Sequence, residues 1–272
     1  MRRTGGFSAA ALKYMAAALM AVDHVGMLFD PLSAFFSAGD PMRQLLRYPG
    51  RLSFPIFAFF VAEGCRKTRN YPAYLRRLGL FALLTQLPLL LLPSLEKGGS
   101  VLVTFLGAAL GIYLWRVGQA RGWREGSWLA MGCCILAADF LGGDYGWMGA
   151  LLVCAVYLAG EDRRRQLMVL GGGLVFYYLL SPLWLHGCFL ALEALGGTGG
   201  GAFFAGLTEE LPLGIPFSLP FCLLTAGSAL LSLPLLARYN GERGRGGRWF
   251  FYWFYPGHLA LLGLVKILIT QW

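Results

Sequence analysis

Nine apolar runs dominate this chain, near residues 9–29, 51–65, 78–93, 101–116, 127–142, 147–160, 167–185, 215–237 and 249–270. About 20 apolar residues carry a helix across the ~30 Å hydrocarbon core of a bilayer. Hydrophobic residues make up 57% of the 272 and charged residues 14%, so a water-soluble fold of this size would leave much of that apolar surface wet. The sequence predicts an all-α, polytopic membrane bundle of about nine to ten transmembrane helices, one domain spanning 1–272. The runs 51–65 and 147–160 are short. Each either extends into its flanks or lines a cavity as a half-helix. Residues 186–214, with Glu193, the glycines between 196 and 201, and Glu209–Glu210, read as an outer loop, a re-entrant hairpin or two short crossings. Asp23 and His24 interrupt the first run, which therefore does not read as a cleaved signal.

The charges set an orientation. Basic residues cluster in alternate connections: Arg2, Arg3 and Lys13; then Arg66 to Arg77; Arg116 to Arg124; Arg163 to Arg165; and Arg238 to Arg248. These hold 18 of the 23 lysines and arginines. The positive-inside rule puts all of them, and the N-terminus, in the cytoplasm. The net charge of +9 then needs no nucleic-acid partner. Membrane lipids account for it. The six cysteines lack CxxC or zinc-ligand spacing and read as small buried apolar residues.

Ionisable residues at membrane depth cost at least ~2.5 kcal/mol each and so mark candidate sites. Lys13 and His24 lie eleven residues apart in the first run. Eleven residues make about three turns of helix, so the two share a face at different depths. Histidine is suited to general-base work near neutral pH. Asp23 is adjacent, and its side chain points roughly 100° away from His24. Arg43, Arg47 and Arg51 are spaced by four and share a helical face, which fits either lipid head groups or a cavity lining. Glu63, close to Arg66 and Lys67, reads as an ion-pair partner. Asp139 and Asp144 are substrate-binding candidates, although Asp144 also suits an ordinary turn. The glycine-rich stretch Tyr239-Asn240-Gly241-Glu242-Arg243-Gly244 fits either a phosphate or anionic lipid. Pro256 is expected to break or kink the last run just before His258.

These residues carry a resemblance. The segment from Leu12-Lys13 to Asp23-His24-Val25-Gly26 resembles the opening of the TraX family. So do Gly50-Arg51-Leu52-Ser53-Phe54-Pro55, Glu63-Gly64, Thr68-Arg69-Asn70-Tyr71, Asp144-Tyr145-Gly146, Tyr239-Asn240-Gly241 and Tyr255-Pro256-Gly257-His258. The resemblance spans nearly the whole chain in order. It implies a multi-pass protein of the bacterial cytoplasmic membrane that moves an acetyl group from acetyl-CoA to an amine or hydroxyl on a protein, glycan or lipid. The family's named member acetylates the N-terminus of conjugative pilin. The basic residue, ten intervening residues and histidine of the first span resemble a pattern of transmembrane acyltransferases. The resemblance singles out Lys13 and His24. On the acetyltransferase reading the catalytic candidates are His24 and Asp23, the donor-binding candidates Lys13, Arg51, Arg66, Arg69, Tyr239, Asn240 and Arg243, and the substrate-binding candidates Asp139, Asp144 and His258. Three histidines without paired-ligand spacing lend no support to a metal site. Two other classes fit the residues as well. One is a proton-coupled transporter or flippase, with Asp23, His24, Asp139 and His258 as a relay. The other is a non-catalytic assembly factor for pili or surface polymers.

The orientation is testable by itself. Single cysteines at positions 70, 122 and 244 are expected to label from the cytoplasm, and those at 40 and 97 from outside. Labelling of position 244 from outside would reverse the topology.

Overall fold

The computed structural model describes residues 5–29, 32, 34–36, 41–91, 99–184 and 219–270. The stretch 186–214, with its three possible arrangements, lies outside the described residues. All described elements are helical: α1 (Ala9–Phe29), a 3-10 turn (Pro41–Gln44), α2 (Arg47–Gly50), α3 (Ser53–Lys67), α4 (Tyr71–Leu91), α5 (Val101–Ala120), α6 (Arg124–Phe140), α7 (Gly146–Leu158), α8 (Arg163–Val175), α9 (Leu219–Leu230), α10 (Ser232–Ala237) and α11 (Arg248–Thr270). A π-helical turn, Phe176–Leu180, continues α8. Among the described residues, five helices are long and apolar enough to cross a membrane: Ala9–Phe29, Val101–Ala120, Arg163–Trp184, Leu219–Ala237 and Trp249–Ile269. The chain is a helical membrane protein.

The expected boundaries shift in places. The run expected at 78–93 begins at Tyr71, so Arg76 and Arg77 ride within α4. The short runs become helices of 15 and 13 residues, α3 and α7. Neither alone is as long as a bilayer-crossing helix. Pro256 does not break the last helix, because α11 runs unbroken through it. Proline removes only one backbone bond, and the remaining ladder together with contacts to α1 and α4 carries the helix through.

Small residues set the tightest packing. A Cβ on Gly107 would lie 2.7 Å from the Ala138 Cβ and 2.9 Å from the Cys134 carbonyl, and one on Gly111 3.2 Å from Met131. Gly107-x-x-x-Gly111 thus lets α5 and α6 approach backbone to backbone, as apolar helices do where lipid removes the hydrophobic drive. The buried core runs through α3 and α5, with Ile56, Phe59, Ala108 and Ile112 almost wholly enclosed. Ser53 donates to the Ala16 carbonyl at 2.7 Å and ties α3 to α1.

α1 and α11 run side by side in the same direction. Near their starts Tyr14 packs on Phe250 and Phe251, and near their far ends His24 meets His258. A backbone tie fixes this register. Phe7 forms a parallel bridge with Tyr239. The Ala9 and Ala10 N–H groups donate to the carbonyls of Glu242 (2.9 Å) and Arg243 (3.0 Å). These are orphan donors of the first turn, and the 239–243 loop satisfies them.

Gly107→Val is expected to destabilise the bundle by about 1–3 kcal/mol, since the new side chain meets backbone that cannot yield. Thermal unfolding in detergent or nanodiscs checks this. An unchanged melting temperature would remove the glycine seam as the basis of the α5–α6 contact.

Candidate functional site

The candidate residues fall into two groups at opposite ends of α1. Lys13 and His24 are separated by eleven residues, about 16 Å of helix rise. They share the face turned towards α11: the Lys13 ammonium lies 5.8 Å from the Phe251 ring, and His24 touches His258.

At the end where α1 begins, three of the arginines serve the backbone of other helices. Helices α3, α7 and α10 finish there, and their last carbonyls lie beyond the reach of the regular helical ladder, although following N–H groups reach those of Tyr157 (3.2 Å) and Leu236 (3.1 Å). Arg116 donates to the Cys65 carbonyl at the end of α3, at 3.1 Å. Arg66 donates to Val156 and Tyr157 at the end of α7. Arg163 donates to Leu236 at the end of α10, at 3.1 Å, and to Tyr239 at 3.4 Å. Each guanidinium also meets the negative end of a helix dipole.

Lys13 stands apart from this arrangement. Its ammonium lies 4.8 Å from the Phe60 ring, and among the described residues it forms no salt bridge. The Tyr239 hydroxyl donates to Glu63 at 3.2 Å, and burial raises its pKa, with the Glu63 charge adding to the effect. Glu63 also pairs with Lys67 at 2.7 Å, an ion pair of the expected kind. The Asn240 side chain accepts from the Glu242 N–H at 2.9 Å, an Asx turn that shapes the loop. The side chains of Arg69 and Arg243 are exposed. A cavity of about 770 Å³ opens beside this loop between α8 and α10, walled by Leu167, Met168 and Leu233 and rimmed by Arg163, Arg164 and Asn240.

At the opposite end the polar residues converge. His24 is 9% exposed, the one buried histidine on α1. Its Nδ1 lies 2.6 Å from Nε2 of His258, and the rings are nearly parallel, at 12°. Nδ1 of His258 lies 2.6 Å from the Phe254 carbonyl one turn earlier. The Tyr255 ring meets His24 edge-on. Asp23 turns away and pairs with Arg47 at 3.3 Å, its side chain seated on Gly50, where a Cβ would collide with it. Arg51 has a buried Nε with no hydrogen-bond partner among the described residues. Asp23, Asp144, Tyr145 and Tyr178 surround it electrostatically. Asp139 accepts from the Trp147 N–H at 3.3 Å and so caps α7. Tyr145 stacks on Phe54 at 3.6 Å, which pins the 141–145 turn.

Of the residues picked out by sequence, the structure gathers Asp23, His24, Arg51, Asp144 and His258 at one end and Lys13, Arg66, Tyr239, Asn240 and Arg243 at the other. Sequence reasoning missed Arg47 as the partner of Asp23, and the tyrosines 177, 178 and 255. The signal available for the tyrosines was a phenol inside an apolar run, where its hydroxyl needs a partner.

The half-buried turn carries a pH signature. Burial pushes the Asp144 carboxyl from its ordinary 3.8 up to about 6, with Arg51 opposing the shift. The folded protein therefore keeps a proton there that the unfolded chain releases. Stability falls as pH rises from about 4 through about 6. Asp144→Asn is expected to flatten the melting temperature across that window. An unchanged slope would remove the carboxyl from the buried turn.

The family model described as TraX protein matches residues 8–194. That stretch includes Lys13, His24, Arg51, Asp139 and Asp144, but not His258. A relative, the probable fimbrial assembly protein FimC, serogroup H1, of Dichelobacter nodosus, is 28% identical over 284 residues. The alignment covers 99% of this chain and all of the relative. No solved structure matches the chain.

Proposed function

The chain belongs to the TraX family, and on that premise we propose that it is an integral membrane acetyltransferase moving an acetyl group from acetyl-CoA to an amine or hydroxyl acceptor. The observation that carries the reading is the buried His24, whose ring nitrogen lies 2.6 Å from a second imidazole, beside the Asp23–Arg47 ion pair. The proposed orientation has the N-terminus in the cytoplasm and nine crossings among the described helices, with α3, α4, α6 and α7 joining the five longer ones. The bacterial cytoplasmic membrane is the proposed location.

The proposed division of labour follows the two ends. The donor's phosphates lie at the cytoplasmic end, where Lys13 supplies a cation held by rings and the exposed Arg243 adds to the field. The acyl group reaches into the bundle towards His24. There His24 takes the proton from the acceptor as its lone pair attacks the thioester carbonyl. Arg51, with its unpartnered Nε, stabilises the oxyanion that develops. The carbon–sulfur bond then breaks, and the thiolate takes the proton back from His24. The match to a fimbrial assembly protein favours a pilus subunit's N-terminal amine as acceptor. Glycan and lipid hydroxyls are the alternative acceptors.

Purified protein in nanodiscs is expected to release free thiol from acetyl-CoA when given an acceptor peptide with a free N-terminus. His24→Gln should cut this roughly 10²–10⁴-fold. Neutralising Arg243 and Arg245 together, or adding salt, should weaken donor binding. If His24→Gln kept near-full turnover, the base would have to lie elsewhere. If no acceptor stimulated thiol release, the assembly-factor reading would replace the enzyme.

A further inference from the structure

The two short contacts at His258 fix where the protons sit. The Phe254 carbonyl oxygen can only accept a hydrogen bond, so Nδ1 of His258, 2.6 Å away, must carry a hydrogen. In the neutral ring, Nε2 of His258 is then the bare nitrogen and an acceptor. The atom 2.6 Å from it is Nδ1 of His24, which must therefore be a donor. A neutral His24 that donates from Nδ1 has its lone pair on Nε2. The chain of hydrogen bonds runs from His24 Nδ1–H to His258 Nε2, and from His258 Nδ1–H to the Phe254 carbonyl. It ends on a free basic nitrogen. The reverse tautomer at either ring would set two donors or two bare nitrogens against each other at 2.6 Å.

We infer that His258 is a positioning residue, which holds His24 in the tautomer that leaves Nε2 basic and shares the proton that the base takes up. This assignment rests on the acyl-transfer reading. When Nε2 of His24 accepts the acceptor's proton, the hydrogen on Nδ1 can move to Nε2 of His258. The positive charge then spreads over two rings, and the Phe254 carbonyl still accepts from the second. No proton is lost: the thiolate recovers one from His24 Nε2, and the Nδ1 hydrogen returns. Asp23 is unsuited to this task because it is committed to Arg47. The stack of Phe254 on His258, 4.6 Å between ring centroids, holds the second ring in plane with the first.

The full chain carries only three histidines, so its imidazole nitrogens are readable by ¹⁵N NMR in nanodiscs. Loss of signals in His24→Gln identifies the His24 pair. The wild type is expected to show hydrogen on Nδ1 and a bare Nε2 at His24. His258→Phe keeps the stacked ring but removes the acceptor, and should release His24 into a tautomer mixture. The same variant should lower kcat about 10²-fold and leave KM for acetyl-CoA unchanged. His258→Gln, whose amide oxygen overlays the lost Nε2, should recover most of the rate. A His24 with hydrogen on Nε2 in the wild type would overturn the assignment. So would a tautomer and kcat unmoved in His258→Phe. Thiol release absent from the wild type would instead overturn the acyl-transfer reading, and His258 would keep only its effect on the tautomer.

Discussion

A helix that ends at or within an apolar phase cannot leave its last carbonyls bare, because no water reaches them. The architecture follows from how this chain meets that demand. Arg66, Arg116 and Arg163 each leave their own helix and donate to the end of another. The N-terminal end of α1 is handled in the complementary way, with its first N–H groups bonded to the 242–243 carbonyls. These ties join helices far apart in sequence at one end of the bundle. They also hold α1 against α11, since the loop that satisfies α1 leads directly into α11.

The candidate chemistry depends on that pairing of the first and last helices. Parallel neighbours in register bring residues 24 and 258 to the same depth. An imidazole pair at this depth needs hydrogen-bond partners, and the Phe254 carbonyl supplies the one at the His258 end. Asp23 and Arg47 satisfy each other beside the pair, which leaves the histidines a neutral chain of donors and acceptors. The same demand separates the half-buried ammonium at one end of α1 from the buried imidazole at the other. The rings of Phe60 and Phe251 screen Lys13, whereas His24 needs a directional partner.

Composition and periodicity made the helical membrane class legible, because apolar runs of spanning length have no other stable state. The basic stripes at Arg66, Arg116 and Arg163 were also visible, and the positive-inside rule explained them without their second duty. That duty was hidden, since an arginine that caps another helix's carbonyls carries no mark distinguishing it from one that faces lipid head groups. Glu63 with Lys67 was readable because the pair is local, at i and i+4. Asp139 read as a substrate-binding candidate, and its contact with the Trp147 N–H eight residues away, at the start of α7, carried no mark in the sequence.

What the sequence by itself determined is the inventory: which runs are apolar, which polar residues interrupt them, and that Lys13 and His24 face one way along a single helix. Helical periodicity decides these within one element. Only the tertiary structure decided that His24 faces His258 across 234 residues of chain, that Asp23 faces Arg47, and that Arg51 lies among Asp144, Tyr145 and Tyr178. The physical reason is that such contacts depend on helix register and crossing, which the packing of whole helices and the backbone ties between distant segments set jointly. A lone histidine in an apolar run looks the same whether it packs inertly or completes a proton chain.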